Sequence, residues 1–123
     1  MPYILYIEDN FENRLLVRRI LTASGFDVED VDNARDGIRI ASSNPPDLIL
    51  MDMSMPEMDG LTATLRLREN PALDDVAIVA LTANVMEGDR ETFLEAGCDG
   101  YISKPIDVDN FVDEISSYIG SRR

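Results

Sequence analysis

The feature that most constrains the fold is a regular alternation of strand-like and helix-like segments along the 123 residues. Each short apolar segment typical of a strand is followed by a segment with the apolar periodicity of an amphipathic helix. The predicted strands span 3–7, 27–31, 47–52, 76–82 and 100–103, and the predicted helices span 11–24, 34–43, 61–69, 85–96 and 108–119. Five such units predict an α/β fold, with helices on both faces of a parallel sheet.

The polarity of each predicted strand indicates its place in the sheet. Segments 47–52 and 76–82 are apolar on both faces, as buried parallel strands require. Segment 27–31 is partly polar, so we expect it at an edge. We therefore predict a doubly wound five-stranded sheet of order 2-1-3-4-5, in which the first and third strands are neighbours. On the predicted first helix, Leu16, Val17, Ile20 and Leu21 form one apolar face.

Composition excludes several classes of function. Histidine is absent, which excludes His-dependent nucleophiles, His-ligated metals and a phosphohistidine carrier. Cys98 is the single cysteine, so it has no partner for an internal disulfide or a zinc site. We expect it to pack as a small apolar residue.

Charge and length give further expectations. A net charge of −13 predicts a surface that repels nucleic acid and anionic membrane. The chain has no apolar run of membrane-spanning length and no signal-peptide pattern at its start, so we expect a cytoplasmic protein. The length suits one domain over residues 1–123, with no room for an output domain.

Acidic residues follow two strands that are predicted to be neighbours. Ligands of open α/β sheets bind beyond the carboxyl ends of the strands, at the point where strand order reverses. Glu8 and Asp9 follow the first strand and Asp52 ends the third, so we expect these three carboxylates to converge. Such a group repels itself unless a cation is present. Oxygen ligands of this kind predict Mg²⁺, with Mn²⁺ as the alternative.

Further residues at strand ends suit phosphoryl chemistry. A carboxylate such as Asp52 can act as a nucleophile and form an acyl phosphate. Lys104 is the only lysine of the chain and can supply the counter-charge. The Thr82 hydroxyl and the backbone N–H groups of Met53 and Ala83 can donate to phosphoryl oxygens. Each residue alone has an ordinary explanation as a turn, cap or loop residue, but their joint position at four strand ends favours a phosphate acceptor.

The same segments resemble those of response-regulator receiver domains over essentially the whole chain. The motifs that carry the resemblance are Ile7-Glu8-Asp9-Asn10, Asp47-Leu48-Ile49-Leu50-Met51-Asp52, Met55-Pro56-Glu57-Met58-Asp59-Gly60, Ala80-Leu81-Thr82-Ala83 and the stretch from Gly97 to Pro105. The resemblance implies a flavodoxin-like fold and a cis bond between Lys104 and Pro105. It also implies roles for site residues: Asp52 as phosphoacceptor, Glu8 and Asp9 as metal-site acids, the main-chain carbonyl of Ser54 as a further ligand, and Thr82 and Lys104 as phosphoryl-binding residues.

A switch also follows from the resemblance. Thr82 would move toward a phosphoryl group on Asp52, and Tyr101 would fill the space behind it. The surface of helix four, strand five and helix five would change, because few apolar residues anchor the fourth helix. We further hypothesise that the side chains of Ser54 and Asn84 flank the path of the hydrolytic water and tune the lifetime of the phosphoryl group.

The resemblance implies a signalling protein of a two-component system rather than an enzyme, catalysing only its own phosphorylation and autodephosphorylation. A histidine kinase or a histidine phosphotransfer protein would supply the phosphoryl group at the face of helix one, and a downstream protein would receive the signal. We expect a monomer, with dimerisation on phosphorylation as an alternative. The pattern is similar to single-domain receivers of phosphorelay and cell-cycle control.

Three other interpretations fit less well. A phosphatase of the haloacid dehalogenase type needs an aspartate where Ser54 stands. A flavin mononucleotide carrier needs a loop rich in Ser, Thr and Gly where Glu8 and Asp9 stand. A receiver-like protein that only binds partners would not need the complete set of acids.

Overall fold

The computed structural model describes residues 2–55, 58–83 and 88–122. The predicted alternation of strands and helices is confirmed. The strands are β1 (Tyr3–Ile7), β2 (Asp27–Val31), β3 (Leu48–Asp52), β4 (Ala77–Thr82) and β5 (Gly100–Ser103). The helices are α1 (Phe11–Ala23), α2 (Ala34–Ser43), α3 (Gly60–Arg68), α4 (Asp89–Ala96) and α5 (Val108–Tyr118), and a 3-10 turn that was not predicted spans Pro71–Leu73.

The strands form one parallel sheet of order β2-β1-β3-β4-β5, as predicted, with β2 at an edge. In the register of β1 and β3, Ile7 is opposite Met51. Glu8 and Asp52 therefore follow paired residues at the same edge of the sheet. The parallel arrangement is what brings the acids together, because every strand ends at that edge.

Apolar side chains cover both faces of the sheet. Every residue of β3 and β4 is buried, which explains their continuous apolar sequences. Successive side chains point to opposite faces, so Ile49 packs with α2, α3 and α4 residues, whereas Leu50 packs with residues of α1 and α5. Full burial of one such side chain contributes about 1.5–3 kcal/mol. The two apolar layers hold the strand ends, and thus the site, in fixed positions.

The predicted apolar face of α1 is wrong at Leu16. Val17 and Leu21, one turn apart, are fully buried, but Leu16 is 48% exposed. The sheet contacts α1 along the line through Val17 and Leu21, and Leu16 lies beside that line. Leu16 instead lines an open groove next to Lys104 and Pro105.

Helix α4 differs most from its prediction. The sequence indicates a helix from Val85, but residues 84–87 lie outside the described residues. The described helix begins at Asp89 after Gly88, whose φ of 90° is left-handed and not helical. Most other predicted bounds agree with the structure to within one residue.

Within the ranges that the structure describes, no helix is long and apolar enough to cross a membrane.

Candidate functional site

Three carboxylates and a lysine meet at the carboxyl ends of β1, β3 and β5. Oxygens of Glu8, Asp9 and Asp52 all lie within 4.8 Å of one another. Glu8 and Asp52 are almost fully buried, at 1% and 2% exposure, whereas Asp9 is exposed. The Lys104 Nζ lies 3.2 Å from Glu8 Oε1 and 3.4 Å from Asp52 Oδ1. We call these four residues the acid pocket.

The start of α1 fixes the backbone of the acid pair. Asn10 caps the helix by accepting a hydrogen bond from the Asn13 N–H at 2.9 Å, so the chain turns directly after Asp9. One turn into the helix, the Arg14 guanidinium donates to the carbonyl oxygens of Glu8 at 3.0 Å and Asp9 at 3.2 Å. We did not predict these hydrogen bonds from the sequence, although Arg14 lies one turn into the helix that follows the acids, close enough to contact their backbone.

Glu8 is the most enclosed acid of the pocket. Its Oε1 accepts hydrogen bonds from the Tyr6 hydroxyl at 3.1 Å and from Asn13 Nδ2 at 3.4 Å, in addition to Lys104. Burial raises the pKa of the Glu8 carboxyl, and the neighbouring Asp52 raises it further, while Lys104 opposes both. Burial and the Glu8 carboxylate raise the pKa of the Tyr6 hydroxyl, which is therefore a donor at neutral pH.

Lys104 carries the positive charge of the pocket. Burial works against its charged form, but attraction to Asp52 and Glu8 outweighs burial, and the pKa of Lys104 is raised. Its backbone N–H donates to the Thr82 carbonyl at 2.8 Å, and its bond to Pro105 is cis, as the resemblance implies. The chain after β5 is thus tied to β4, and the lysine is aimed at both carboxylates.

The backbone donors next to Asp52 differ from the prediction. We predicted that the Met53 N–H would donate to a phosphoryl oxygen, but it donates to the Leu81 carbonyl at 3.1 Å. The reason is that hydrogen bonding between β3 and β4 continues one residue past the end of β3. The Ser54 N–H donates instead to Asp52 Oδ1 at 3.1 Å.

The beginning of α3 packs directly against the loop after β3. A Cβ atom at Gly60 would lie 2.6 Å from the Asp52 carbonyl oxygen and 2.5 Å from Met53 Sδ, closer than atoms can approach. Only glycine fits there. The Asp59 carboxylate caps the helix by accepting from the Thr62 N–H at 2.8 Å. These contacts hold the start of α3 against Asp52 and Met53.

The residues proposed for switching lie on β4 and β5. Thr82 is the last residue of β4 and is buried, and Ala83 after it is exposed. Tyr101 on β5 is half-buried, and its ring contacts the Phe93 ring of α4 edge-on, with centroids 6.3 Å apart. The Phe93 contact was not predicted. Asn84, the other residue of the predicted water path, lies outside the described residues.

The donor chemistry of the acid pocket fits a hard divalent cation. Mg²⁺ takes oxygen ligands and is held by one or two carboxylates together with water. Two of the three carboxylates are buried, and Lys104 alone among the described cations forms an ion pair with them. Buried carboxylates in excess over cations are costly, so a bound cation would relieve the pocket. The role of the Ser54 carbonyl as a ligand stays a prediction.

Sequence comparisons agree with this arrangement. The family model described as "Response regulator receiver domain" matches residues 4–116. The polar-differentiation response regulator DivK of Brucella anthropi is 39% identical over 117 residues, covering 95% of each chain. The same protein of Brucella ovis is 38% identical with the same coverage.

Solved structures show the same fold. The receiver domain of sensor histidine kinase PA1611 from Pseudomonas aeruginosa is 35% identical, with a TM-score of 0.88 and coverage of 97% of this chain and 98% of that one. That domain was solved with a magnesium ion coordinated in its active-site cleft. The chemotaxis protein CheY4 of Vibrio cholerae has a TM-score of 0.92 with 96% and 98% coverage; at 22% identity it supports the fold alone.

Proposed function

The chain belongs to the response regulator receiver family of two-component signalling, and on that premise we propose that it is a switch controlled by phosphorylation of Asp52. The observation that carries the proposal is the position of this carboxylate, buried between two further acids and the only lysine of the chain. No other described aspartate combines burial with such neighbours.

Receiver domains bind Mg²⁺ in an acidic pocket. Here Glu8, Asp9, Asp52 and the Ser54 carbonyl would hold the ion, with Mn²⁺ as a substitute. The ion supplies positive charge that lets an anionic phosphoryl donor approach the carboxylates. The residues of the chain supply the ligands and keep the site rigid.

Asp52 is the nucleophile of the proposed reaction. A carboxylate oxygen attacks the phosphorus of a phosphohistidine, the P–N bond breaks, and the histidine leaves with its electron pair and takes up a proton. Lys104 then exchanges its contact with Glu8 for a phosphoryl oxygen. The Ser54 N–H, the Ala83 N–H and the Thr82 hydroxyl donate to the others, with Ser54 in the position that we first expected of Met53.

The phosphoryl group would be sensed through β4 and β5. Movement of Thr82 toward the phosphoryl group opens space for Tyr101, and Tyr101 contacts Phe93 of α4. That contact joins the site to the surface of α4, β5 and α5, where a downstream protein would bind. The equilibrium between two packings would shift without a new fold.

The upstream partner would be a histidine kinase or a histidine phosphotransfer protein, since the chain has no histidine. It would contact α1, which presents exposed Leu16 and Phe11 beside the acid pocket. The single-domain organisation, the cytoplasmic location, the monomeric state with dimerisation on phosphorylation and the autodephosphorylation activity all stay predictions.

Acetyl phosphate tests the proposal directly. Incubation with Mg²⁺ should add one phosphoryl group, seen by mass spectrometry as an acid-stable and base-labile species. Asp52→Asn should abolish the gain, and Asp75→Asn, which changes an exposed aspartate, should keep it. No gain in the wild-type chain, or a full gain in Asp52→Asn, would refute Asp52 as the acceptor.

A further inference from the structure

Tyr6 places a hydroxyl group inside an apolar layer of the core. It is a fully buried residue of β1, packed with apolar residues that include Val17 and Leu81. A buried hydroxyl destabilises the fold unless it is hydrogen-bonded, and phenylalanine would fill the same space without that cost. The hydroxyl is bonded to one acceptor, Glu8 Oε1, at 3.1 Å.

The two oxygens of the Glu8 carboxylate have different surroundings. Among the described residues, Oε1 accepts from the Tyr6 hydroxyl, from Lys104 Nζ at 3.2 Å and from Asn13 Nδ2 at 3.4 Å. Within the same part of the chain, Oε2 accepts only from the Asn10 N–H, at a long 3.5 Å. One oxygen is therefore held by side chains, and the other keeps most of its capacity as a ligand.

Tyr6 differs from the other two donors to Oε1. Lys104 also contacts Asp52 and would leave Glu8 for a phosphoryl oxygen, and the Asn13 bond is the longest of the three. The Tyr6 ring is enclosed in the core, so we expect its hydroxyl to stay in place in both the unphosphorylated and the phosphorylated protein. The Tyr6 hydroxyl is therefore the donor that can keep the Glu8 carboxylate oriented before and after phosphorylation.

We propose that Tyr6 is a positioning residue of the metal site, which holds Glu8 Oε1 so that Oε2 faces the cation. The inference rests on the proposed function, because it assigns to Tyr6 a part in the binding of the Mg²⁺ that phosphorylation needs. Partners that orient a metal ligand commonly change metal affinity 10–100-fold when removed. For a single hydroxyl with two remaining donors, we expect the lower end, about tenfold.

The identity of the cation gives a more specific readout. Mg²⁺ demands near-octahedral geometry, whereas Ca²⁺ tolerates irregular ligands. A loosened Glu8 carboxylate should therefore weaken Mg²⁺ binding more than Ca²⁺ binding. Tyr6→Phe should raise the Kd for Mg²⁺ about tenfold and lower the preference for Mg²⁺ over Ca²⁺. A purely structural role of the hydroxyl would not lower the preference for Mg²⁺ over Ca²⁺.

The experiment titrates each cation into metal-free protein and follows the backbone amide of Ser54 by NMR. Tyr3→Phe is the matched control, because Tyr3 lies on the same strand and also donates to a glutamate, Glu29, at 3.0 Å, but in an exposed hydrogen bond away from the acid pocket. In a Glu8→Gln background, Tyr6→Phe should have no further effect on Mg²⁺ affinity. Thermal unfolding without metal monitors the fold of every variant.

Wild-type affinity and selectivity in Tyr6→Phe would overturn the inference and leave the proposed function intact. So would a Tyr6→Phe chain that unfolds before binding can be measured, since the hydroxyl would then serve folding. Equal losses in Tyr3→Phe would overturn it as well. A wild-type chain that binds no Mg²⁺ and takes up no phosphoryl group would instead refute the proposed function, and this inference with it.

Discussion

Charged side chains cluster at both ends of the sheet, and the two clusters are balanced differently. At the carboxyl ends of the strands, the acid pocket combines three carboxylates with one lysine. At the amino ends of β4 and β5, a single carboxylate, Asp99, lies between two arginines, Arg68 and Arg122. We call these three residues the Asp99 cluster. The acid pocket has an excess of negative charge, and the Asp99 cluster does not.

The Asp99 cluster is closely hydrogen-bonded. Asp99 Oδ2 accepts from Arg68 at 3.1 Å and from the backbone N–H of Ile78 at 2.8 Å, and Oδ1 accepts from Arg122 at 3.0 Å. The remaining Arg68 groups donate to the carbonyl oxygens of Gly97 at 2.9 Å and Leu73 at 2.8 Å. The cluster thus joins the starts of two strands to the end of α3.

The difference between the clusters distinguishes a structural role from a functional one. A buried charge with matched partners stabilises the native geometry, because loss of one partner leaves the others uncompensated. Buried like charges lower stability and are found where a ligand or reaction needs them. Neutralisation of one carboxylate should therefore change stability in opposite directions at the two ends.

The largest effect is expected at the amino ends. Asp99→Asn should lower the free energy of unfolding by about 3 kcal/mol, because it leaves two arginines without a carboxylate at a site that is only 13% exposed. Urea unfolding followed by circular dichroism measures the change. Asp75→Asn, at an exposed position before β4, is the control. A decrease of less than about 1 kcal/mol in the free energy of unfolding would contradict a structural role for the Asp99 cluster.

Asp52→Asn should have the opposite sign. In metal-free protein it should raise the free energy of unfolding by about 1–2 kcal/mol, since one of two buried, repelling carboxylates becomes neutral while Lys104 keeps Glu8 as a partner. The same urea titration applies, without Mg²⁺. Destabilisation by this variant would mean that the acid pocket is as well balanced as the Asp99 cluster.

Added Mg²⁺ should stabilise the protein by binding at the acid pocket and not at the Asp99 cluster. At ten times its Kd it should stabilise the wild-type chain by about 1.4 kcal/mol. Asp9→Asn should lose most of this gain, because it removes one of the three acids. Thermal melts with and without Mg²⁺ should be compared at equal ionic strength, since salt alone screens a chain with a net charge of −13. An equal stabilisation of Asp9→Asn by Mg²⁺ would mean that the cation binds elsewhere.

The smallest effect concerns Cys98, next to Asp99. Burial raises the pKa of the Cys98 thiol, while the Thr64 hydroxyl lowers it in part. The folded state then keeps the proton that the unfolded state loses, so stability falls as pH rises above the unfolded pKa. The fall should be at most about 0.7 kcal/mol between pH 8 and pH 9, which is the value for a folded-state thiol that stays protonated throughout. Cys98→Ala should lose this slope, and identical pH slopes in both chains would contradict the assignment.

Much of the fold could be predicted because its causes are local. Continuous apolar runs identify β3 and β4 as interior strands, and the cap of α5 is a local contact in which Asp107 accepts from the Asp109 N–H. The convergence of Glu8, Asp9 and Asp52 could also be predicted, since parallel strands end at one edge. These inferences need residue type and spacing, but not distances.

Other features depend on contacts between residues far apart in the chain. Arg68 and Asp99 are 31 positions apart, and neither showed a pattern that pointed to the other. The exposure of Leu16 depends on how α1 is rotated on the sheet, and the partner of the Met53 N–H depends on how far the ladder between β3 and β4 extends. Periodicity does not carry this information.

Residue type and spacing are enough to predict the order of strands and helices, the acidic character of the site and the single lysine beside it. The atomic contacts of the site follow from the packing of elements that are distant in the chain. Tyr6 and Lys104 share one oxygen of Glu8, and the Ser54 N–H rather than the Met53 N–H donates to Asp52. These contacts cannot be predicted from the sequence because hydrogen bonds act over a very short range. A hydrogen bond is decided within a few tenths of an ångström, and only the packing of both sheet faces sets positions that closely.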